Sequence, residues 1–226
     1  MEKYFDILME NPLFAGINRK ELVSLMGCLS AKTVEKAKGE PVFLEGDPAG
    51  FIGVVLEGAV QIVRDDFYGN RSLLALAEPG ELFAETFACA GVPVMPVSGY
   101  AAKDSKILWL ACKKMLTVCT NACGFHNILV QNLLQVVAQK NLLLSRKIQF
   151  MSRKTTREKL MAYLLDQAKQ KGSDEFVIPM DRQALADFLG VERSAMSAEL
   201  SKLRADGVLE SKGAWFRLTG ESGYKL

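Results

Sequence analysis

The stretch 182–203 constrains this chain more than any other. Its small, apolar and glycine positions fall at the spacing of two short helices joined by a tight turn. Asp181 supplies an N-cap carboxylate for the first helix. Leu185, Phe188 and Leu189 share one apolar face, and Ala186 is small where a second helix must pass close. Gly190 can take the positive φ that such a turn requires. The second helix starts at Glu192 or Ser194 and repeats Met196, Leu200 and Leu203 on its buried side. Arg193, Ser194, Ser197 and Ala198 are left facing outward. This is helix-turn-helix patterning, in which the second helix presents its N-terminal side chains to base edges in the DNA major groove. Arg193 is the strongest reader of a base or phosphate, with Ser194 and Ser197 beside it. Arg182, Gln183 and Lys202 are phosphate candidates. The competing reading is a helical hairpin inside an ordinary core.

Two short strands, 208–210 and 214–218, flank a turn that contains Gly213. A hairpin after a recognition helix is a wing, and Lys212 at its tip can touch phosphate. Charge alone does not argue for nucleic acid, because the 226 residues carry a net charge of only +2. That excess lies wholly beyond residue 151.

Apolar content of 49% with 24% charged residues belongs to a soluble globular protein. No apolar run is long enough to span a bilayer, and the first residues lack a signal-peptide pattern, so a cytoplasmic protein without membrane contact is expected. Five cysteines without an export signal imply free thiols.

Residues 1–35 carry Phe5, Leu8, Met9, Leu22, Leu25, Met26 and Leu29 at helical spacing, and two or three short helices follow from that. From about residue 33 to 112, short apolar runs at 41–44, 51–56, 59–63, 72–76, 97–101 and 107–111 alternate with Gly, Pro and Asp. Short strands at this spacing predict a β-sandwich or barrel. A long helix is predicted over 125–151. Along it Val130, Leu134, Val137, Asn141, Leu144, Ile148 and Met151 are spaced 4-3-4-3-4-3. Such a seam suits a parallel two-stranded coiled coil across a homodimer, where a seam Asn costs stability but fixes register. Burial of the stripe within one chain is the alternative. The dimer also suits a helix-turn-helix, because two recognition helices then meet successive major grooves. A hinge at 153–156 is expected to lead into the C-terminal domain.

In this order of parts the chain resembles the Crp/Fnr family of bacterial transcription regulators. The likeness rests on Gly39 in Lys-Gly-Glu, Gly46 in Glu-Gly-Asp, Gly58 in Leu-Glu-Gly-Ala-Val and Gly80 in Pro-Gly-Glu-Leu-Phe. It rests as well on the long helix and on Gly-Val-Glu-Arg-Ser-Ala-Met-Ser at 190–197. The resemblance implies an α+β chain. A double-stranded β-helix, jelly-roll-like, forms an effector domain over 1–124; a dimerisation helix occupies 125–151; a winged helix-turn-helix occupies 152–226. It also implies duplex DNA, a second copy of the chain and RNA polymerase as partners.

In the family's cyclic-nucleotide-binding members a Gly-Glu pair and a downstream Arg-Ser/Thr-Ala hold the ribose and cyclic phosphate. Those positions here are Ala84–Glu85 and Val97–Ser98–Gly99. Binding would leave the phosphate without its cation, a loss of roughly 3–5 kcal/mol for a buried pair with one partner missing. Cyclic AMP and cyclic GMP are therefore not expected as effectors. Phe83, Phe87, Val92, Val94, Met95 and Val97 suit a mostly apolar ligand anchored by Glu85 or Ser98. The candidate pocket is Phe83, Ala84, Glu85, Val97, Ser98 and Gly99, with Ser145 on the long helix as a further candidate. A roll filled by its own side chains, with no ligand, is the alternative.

Cys119, Cys123 and His126 form a weak metal or thiol-switch constellation at i, i+4 and i+7, but three ligands make a poor structural zinc site. An enzyme with a metal in the roll would need several histidines there. The only histidine lies outside it, and no catalytic residues or certain cofactors are expected. A thiol- or metal-responsive regulator, a ligand-independent one, and an adaptor that keeps the fold without binding DNA remain as alternatives.

Overall fold

The computed structural model describes residues 2–68, 71–117 and 124–219. The chain divides into two compact units, Met1–Gln139 and Lys140–Leu226.

The first unit opens with α1 (Phe5–Glu10) and α2 (Arg19–Cys28). A capping box starts α2: the Asn18 side chain accepts from the Lys20 and Glu21 amides, and the Glu21 carboxylate accepts from the Asn18 amide. Next come β1 (Lys32–Lys36), β2 (Pro41–Phe43), β3 (Phe51–Glu57), β4 (Val60–Asp65), β5 (Arg71–Ala77) and β6 (Leu82–Phe83). After α3 (Glu85–Ala90) the roll finishes with β7 (Ser98–Ala101) and β8 (Ser105–Ala111), followed by α4 (Cys112–Leu116). The strands form two antiparallel four-stranded sheets, ordered β1-β8-β3-β6 and β2-β7-β4-β5. This is the β-sandwich-or-barrel class that the strand spacing predicted, in the jelly-roll-like α+β form that the family resemblance implied.

Alternation along β3 explains its position. Ile52, Val54 and Leu56 pack towards the N-terminal helices. Val55 points the other way, joining Phe83, Ile107, Phe43 and Val60 between the sheets. A strand covered on both faces reads as an unbroken apolar run, and 51–56 does so. β1 was not expected. Its Lys-Thr-Val-Glu-Lys sequence hides a strand because it lies at the sheet edge, where charged side chains discourage pairing with other chains. Helix α3 also falls in a segment expected only to line a pocket.

The long helix α5 runs Gly124–Met151. In the first unit its Leu129, Leu133 and Val136 are buried against the N-terminal core. Asn132 Nδ2 donates to the carbonyls of Leu13 and Ala15 at 3.0 and 2.8 Å. The expected seam lies mostly on other faces of the helix. Leu134, Leu144 and Ile148 are 69%, 57% and 58% exposed, and Val130, Asn141 and Met151 are exposed too. Val137 is the correction: it is half-buried against the N-terminal core of its own chain.

In the second unit, α6 (Thr156–Lys171) begins at a Thr155–Glu158 capping box, so the hinge expected at 153–156 stops at Thr155. β9 (Glu175–Val177), α7 (Arg182–Leu189), α8 (Arg193–Ala205), β10 (Leu209–Lys212) and β11 (Trp215–Leu218) follow. The three strands form one sheet ordered β10-β11-β9. Leu160, Leu164, Leu185, Ala186, Met196, Leu203 and Phe216 belong to a single core beneath the two short helices. Phe150, near the end of α5, packs into this core and meets Tyr163 edge-on at 5.7 Å.

Candidate nucleic-acid interface and effector cavity

Asp181 caps α7, its side chain accepting from the Ala184 amide at 2.8 Å. Gly190 ends that helix in the left-handed region at φ +61, and α8 begins three residues later. Met196, Leu200 and Leu203 bury one side of α8, while Arg193, Ser194, Ser197 and Ala198 are exposed. At about 100° per residue, Arg193, Ser197 and Arg204 share one flank of α8, and Lys202 lies about 180° from Arg193.

The remaining candidates are placed less uniformly. Lys202 is held by Glu199 at 2.7 Å on its separate flank. Gln183 is exposed and donates to Asp187 at 2.9 Å. Arg182, a phosphate candidate, has a half-buried side chain. Its guanidinium lies 4.7 Å from the centre of the Phe216 ring, and burial, then the nearby Arg204, push it below the ordinary arginine range. Lys212 ends β10 opposite Trp215, so the hairpin tip itself is Gly213–Ala214, and Lys212 flanks it.

The roll interior is corrected more substantially. Phe43 and Phe83 stack at 6.1 Å, and Trp109 meets both edge-on at 6.3 and 5.2 Å. Two glycines make room for this cluster. A Cβ on Gly99 would lie 2.3 Å from the Phe43 ring, and one on Gly53 would lie 2.1 Å from the Phe83 ring. Gly99 is therefore the floor under Phe43. Ser98 is buried, and its Oγ accepts from the Glu45 amide at 3.0 Å. Glu85 is buried, with Thr86 Oγ1 donating to it at 3.4 Å. Val97 is buried in the same packing, and Ser145 is exposed in the second unit, on α5.

A cavity of about 320 Å³ does exist, and of the residues expected at an effector site Ala84 and Met95 line it. Its apolar walls include Val34, Phe43, Phe51, Met95 and Trp109. Lys32 and Asp47 are its charged residues, and Asp47 Oδ2 already accepts from the Leu44 amide at 2.8 Å. Lys32 was missed because it comes from the unexpected β1, directly across from Trp109 in register. Ala84 adopts the left-handed conformation, φ 63, immediately before α3.

Comparison with known proteins joins the two sites. Residues 33–121 match the cyclic nucleotide-binding domain and residues 158–220 match the Crp-like helix-turn-helix domain. The chain belongs to the Crp/Fnr family of transcription regulators. This Crp/Fnr chain is 25% identical over 199 residues to the cyclic AMP receptor protein of Thermus thermophilus, covering 88% of each chain. It is 27% identical over 183 residues to the nitrogen fixation regulation protein FixK of Azorhizobium caulinodans, covering 76% of this chain and 69% of that one. Its fold resembles that of OCPA-complexed CprK, with a TM-score of 0.62 at 16% identity over 88% and 91% of the two chains.

Of the cysteines of this Crp/Fnr regulator, Cys28, Cys89 and Cys112 are free thiols. Cys89 and Cys112 approach to 4.0 Å between sulfurs, and burial pushes the Cys89 thiol up to about 12. Cys119 and Cys123 lie outside the described residues. His126 is buried, with Nε2 3.1 Å from the Lys114 carbonyl oxygen. Among the described residues no group of three His, Cys, Asp or Glu could hold a metal. Nor is any described helix long and apolar enough to cross a membrane.

Proposed function

We propose that this Crp/Fnr-type regulator works as a cytoplasmic homodimer whose two α8 helices read a near-palindromic DNA site under the control of an apolar effector. The observation that carries the reading is the division of α8: one side is sealed into the domain core, and the other presents Arg193, Ser194 and Ser197 to solvent. Arg193 reads a base edge or phosphate, the two serines support it, and half-sites sit about one DNA turn apart, ~34 Å. The exposure of Leu144 and Ile148 on α5 supports the dimer, because apolar side chains left in water gain by pairing. RNA polymerase is the expected protein partner of the bound dimer. No catalytic role is assigned.

One relative is named for cyclic AMP, but the residues here do not fit a cyclic nucleotide. No arginine lines the cavity, aromatic rings fill the roll, and Met95, Phe51 and Val34 form the walls. A phosphodiester there would meet no guanidinium fork, only the single ammonium of Lys32 in a cavity that also carries the Asp47 carboxylate. A compact apolar effector fits instead, its single polar group directed to Lys32. Such an effector acts by binding one conformer of the dimer better than the other and shifting the population.

The test is a gel shift with DNA from upstream of the chain's own gene, with and without cyclic AMP, and with Arg193→Ala beside the wild type. Specific retardation by the wild type, indifferent to cyclic AMP and absent in Arg193→Ala, is expected. Retardation that requires cyclic AMP would overturn the effector assignment. No retardation of any duplex would overturn the DNA assignment.

A further inference from the structure

The cavity in the roll carries a charge that its apolar walls do not explain. Lys32 and Val34 share one face of β1 and both line it, while Glu35 lies on the opposite face and holds Lys106. The Lys32 side chain is exposed and forms no ion pair with any described carboxylate. It stands directly across from Trp109, another wall residue. Phe43 and Phe51 arrive from β2 and β3. Glu85, Val97, Ser98 and Gly99 are not among the lining residues, so the seat is defined by β1 rather than by those positions.

A lysine ammonium carries three donors and no acceptor, and an anionic acceptor gives it the stronger hydrogen bond. The other charged group of the cavity, Asp47, has Oδ2 committed to the Leu44 amide, where it fixes the turn between β2 and β3. With that carboxylate in the same cavity, a ligand bearing two negative charges would leave one of them uncompensated. The walls set the size. At about 30 Å³ for each water-sized group, 320 Å³ holds on the order of ten non-hydrogen atoms.

Resting on the effector reading above, we infer that the effector is a monocarboxylate with a compact apolar tail, recognised by Lys32. Its carboxylate accepts from Lys32 Nζ on the exposed side of the cavity, where both groups stay partly hydrated. Its tail lies among Phe51, Met95 and Trp109. An alcohol of the same shape loses the charge-assisted bond, and an amine meets Lys32 as a like charge.

Octanoate is of the required size and serves as the probe, and 1-octanol and octylamine match its tail with neutral and positive heads. The chain has two tryptophans, so Trp215→Phe leaves Trp109 as the fluorescent reporter at the cavity wall. Titration of this full-length variant is expected to show octanoate binding about tenfold more tightly than 1-octanol, the worth of one charge-assisted hydrogen bond. Adding Lys32→Gln is expected to bring the two to equal affinity. Asp47→Asn, which keeps an acceptor for the Leu44 amide, is expected to tighten octanoate alone. Val34→Phe, which fills the cavity, is expected to abolish binding of both and separates this seat from exposed apolar surface elsewhere. Equal affinity for octanoate and 1-octanol in the unsubstituted cavity, or octanoate binding unchanged by Lys32→Gln, would overturn the acid assignment and leave the effector cavity standing. Tighter binding of octylamine would move recognition to Asp47 and overturn it too. Octanoate binding that persists in Val34→Phe would overturn the seat. No response of Trp109 to any of the three probes would remove the apolar-effector reading itself.

Discussion

The roll and the winged domain divide the labour of folding and recognition differently. In the winged domain, Met196, Leu200 and Leu203 hold α8 in place, and Arg193, Ser194 and Ser197 are exposed and contribute little to the core. Recognition there can change without disturbing the fold. In the roll, Phe43 and Trp109 line the cavity and also form the aromatic cluster between the sheets. Ligand choice and sheet packing are properties of the same side chains. A regulator built this way can alter its DNA site freely, while a change of effector must keep the roll packed.

Phe83→Ala should separate the two regions most sharply. Removing a buried ring from the roll cluster is expected to cost about 3–5 kcal/mol in denaturant unfolding. A cost below about 1 kcal/mol would mean that the interior is loosely filled, and the contrast would fail. Gly190→Ala strikes the winged domain at the left-handed turn between its two short helices. A left-handed L-residue costs roughly 1–2 kcal/mol, and the new methyl would lie 2.9 Å from the end of Met151. Thermal melting of that variant checks it.

Alkaline pH should weaken the first unit through Cys89, whose thiol burial raises from 9.0 to about 12. The folded chain keeps this proton where the unfolded chain has released it. The contribution is therefore full below the ordinary thiol value and is lost as pH rises towards about 12. Urea midpoints at several alkaline pH values, with Cys89→Ala as the comparison, measure it. Ala84→Gly should be neutral to stabilising by up to about 1 kcal/mol, because glycine takes the left-handed conformation freely. A loss of stability beyond that would show that the alanine methyl is itself part of the cavity wall. Arg193→Ala should change stability least, within about 0.5 kcal/mol. It should nonetheless bind specific and random DNA equally.

The two regions were also unequally legible in the sequence. Asp181, Gly190 and the Met196–Leu200–Leu203 spacing are local signals, and each acts where it was read. The β-sandwich-or-barrel class followed from the rhythm of short apolar runs, and its jelly-roll form from the family resemblance. What spacing could not reveal was long-range packing. Gly99 and Phe43 are 56 positions apart in sequence and touch only through β2–β7 pairing. The cavity therefore opens beside Lys32 and Trp109, away from Glu85 and Ser98. The half-burial of Arg182 was illegible for a related reason, since the ring that covers it, Phe216, arrives from β11. Val137 obeys the seam periodicity, yet the N-terminal core of its own chain half-covers it.

Sedimentation velocity of the full chain with a labelled duplex from upstream of its own gene tests the central claim most directly. The expected boundary contains two 24.9 kDa chains per duplex, and Leu144→Lys with Ile148→Lys is expected to abolish both pairing and tight DNA uptake. A wild-type monomer that binds the duplex as tightly as any dimer, or a stable dimer that never takes up DNA, would contradict it.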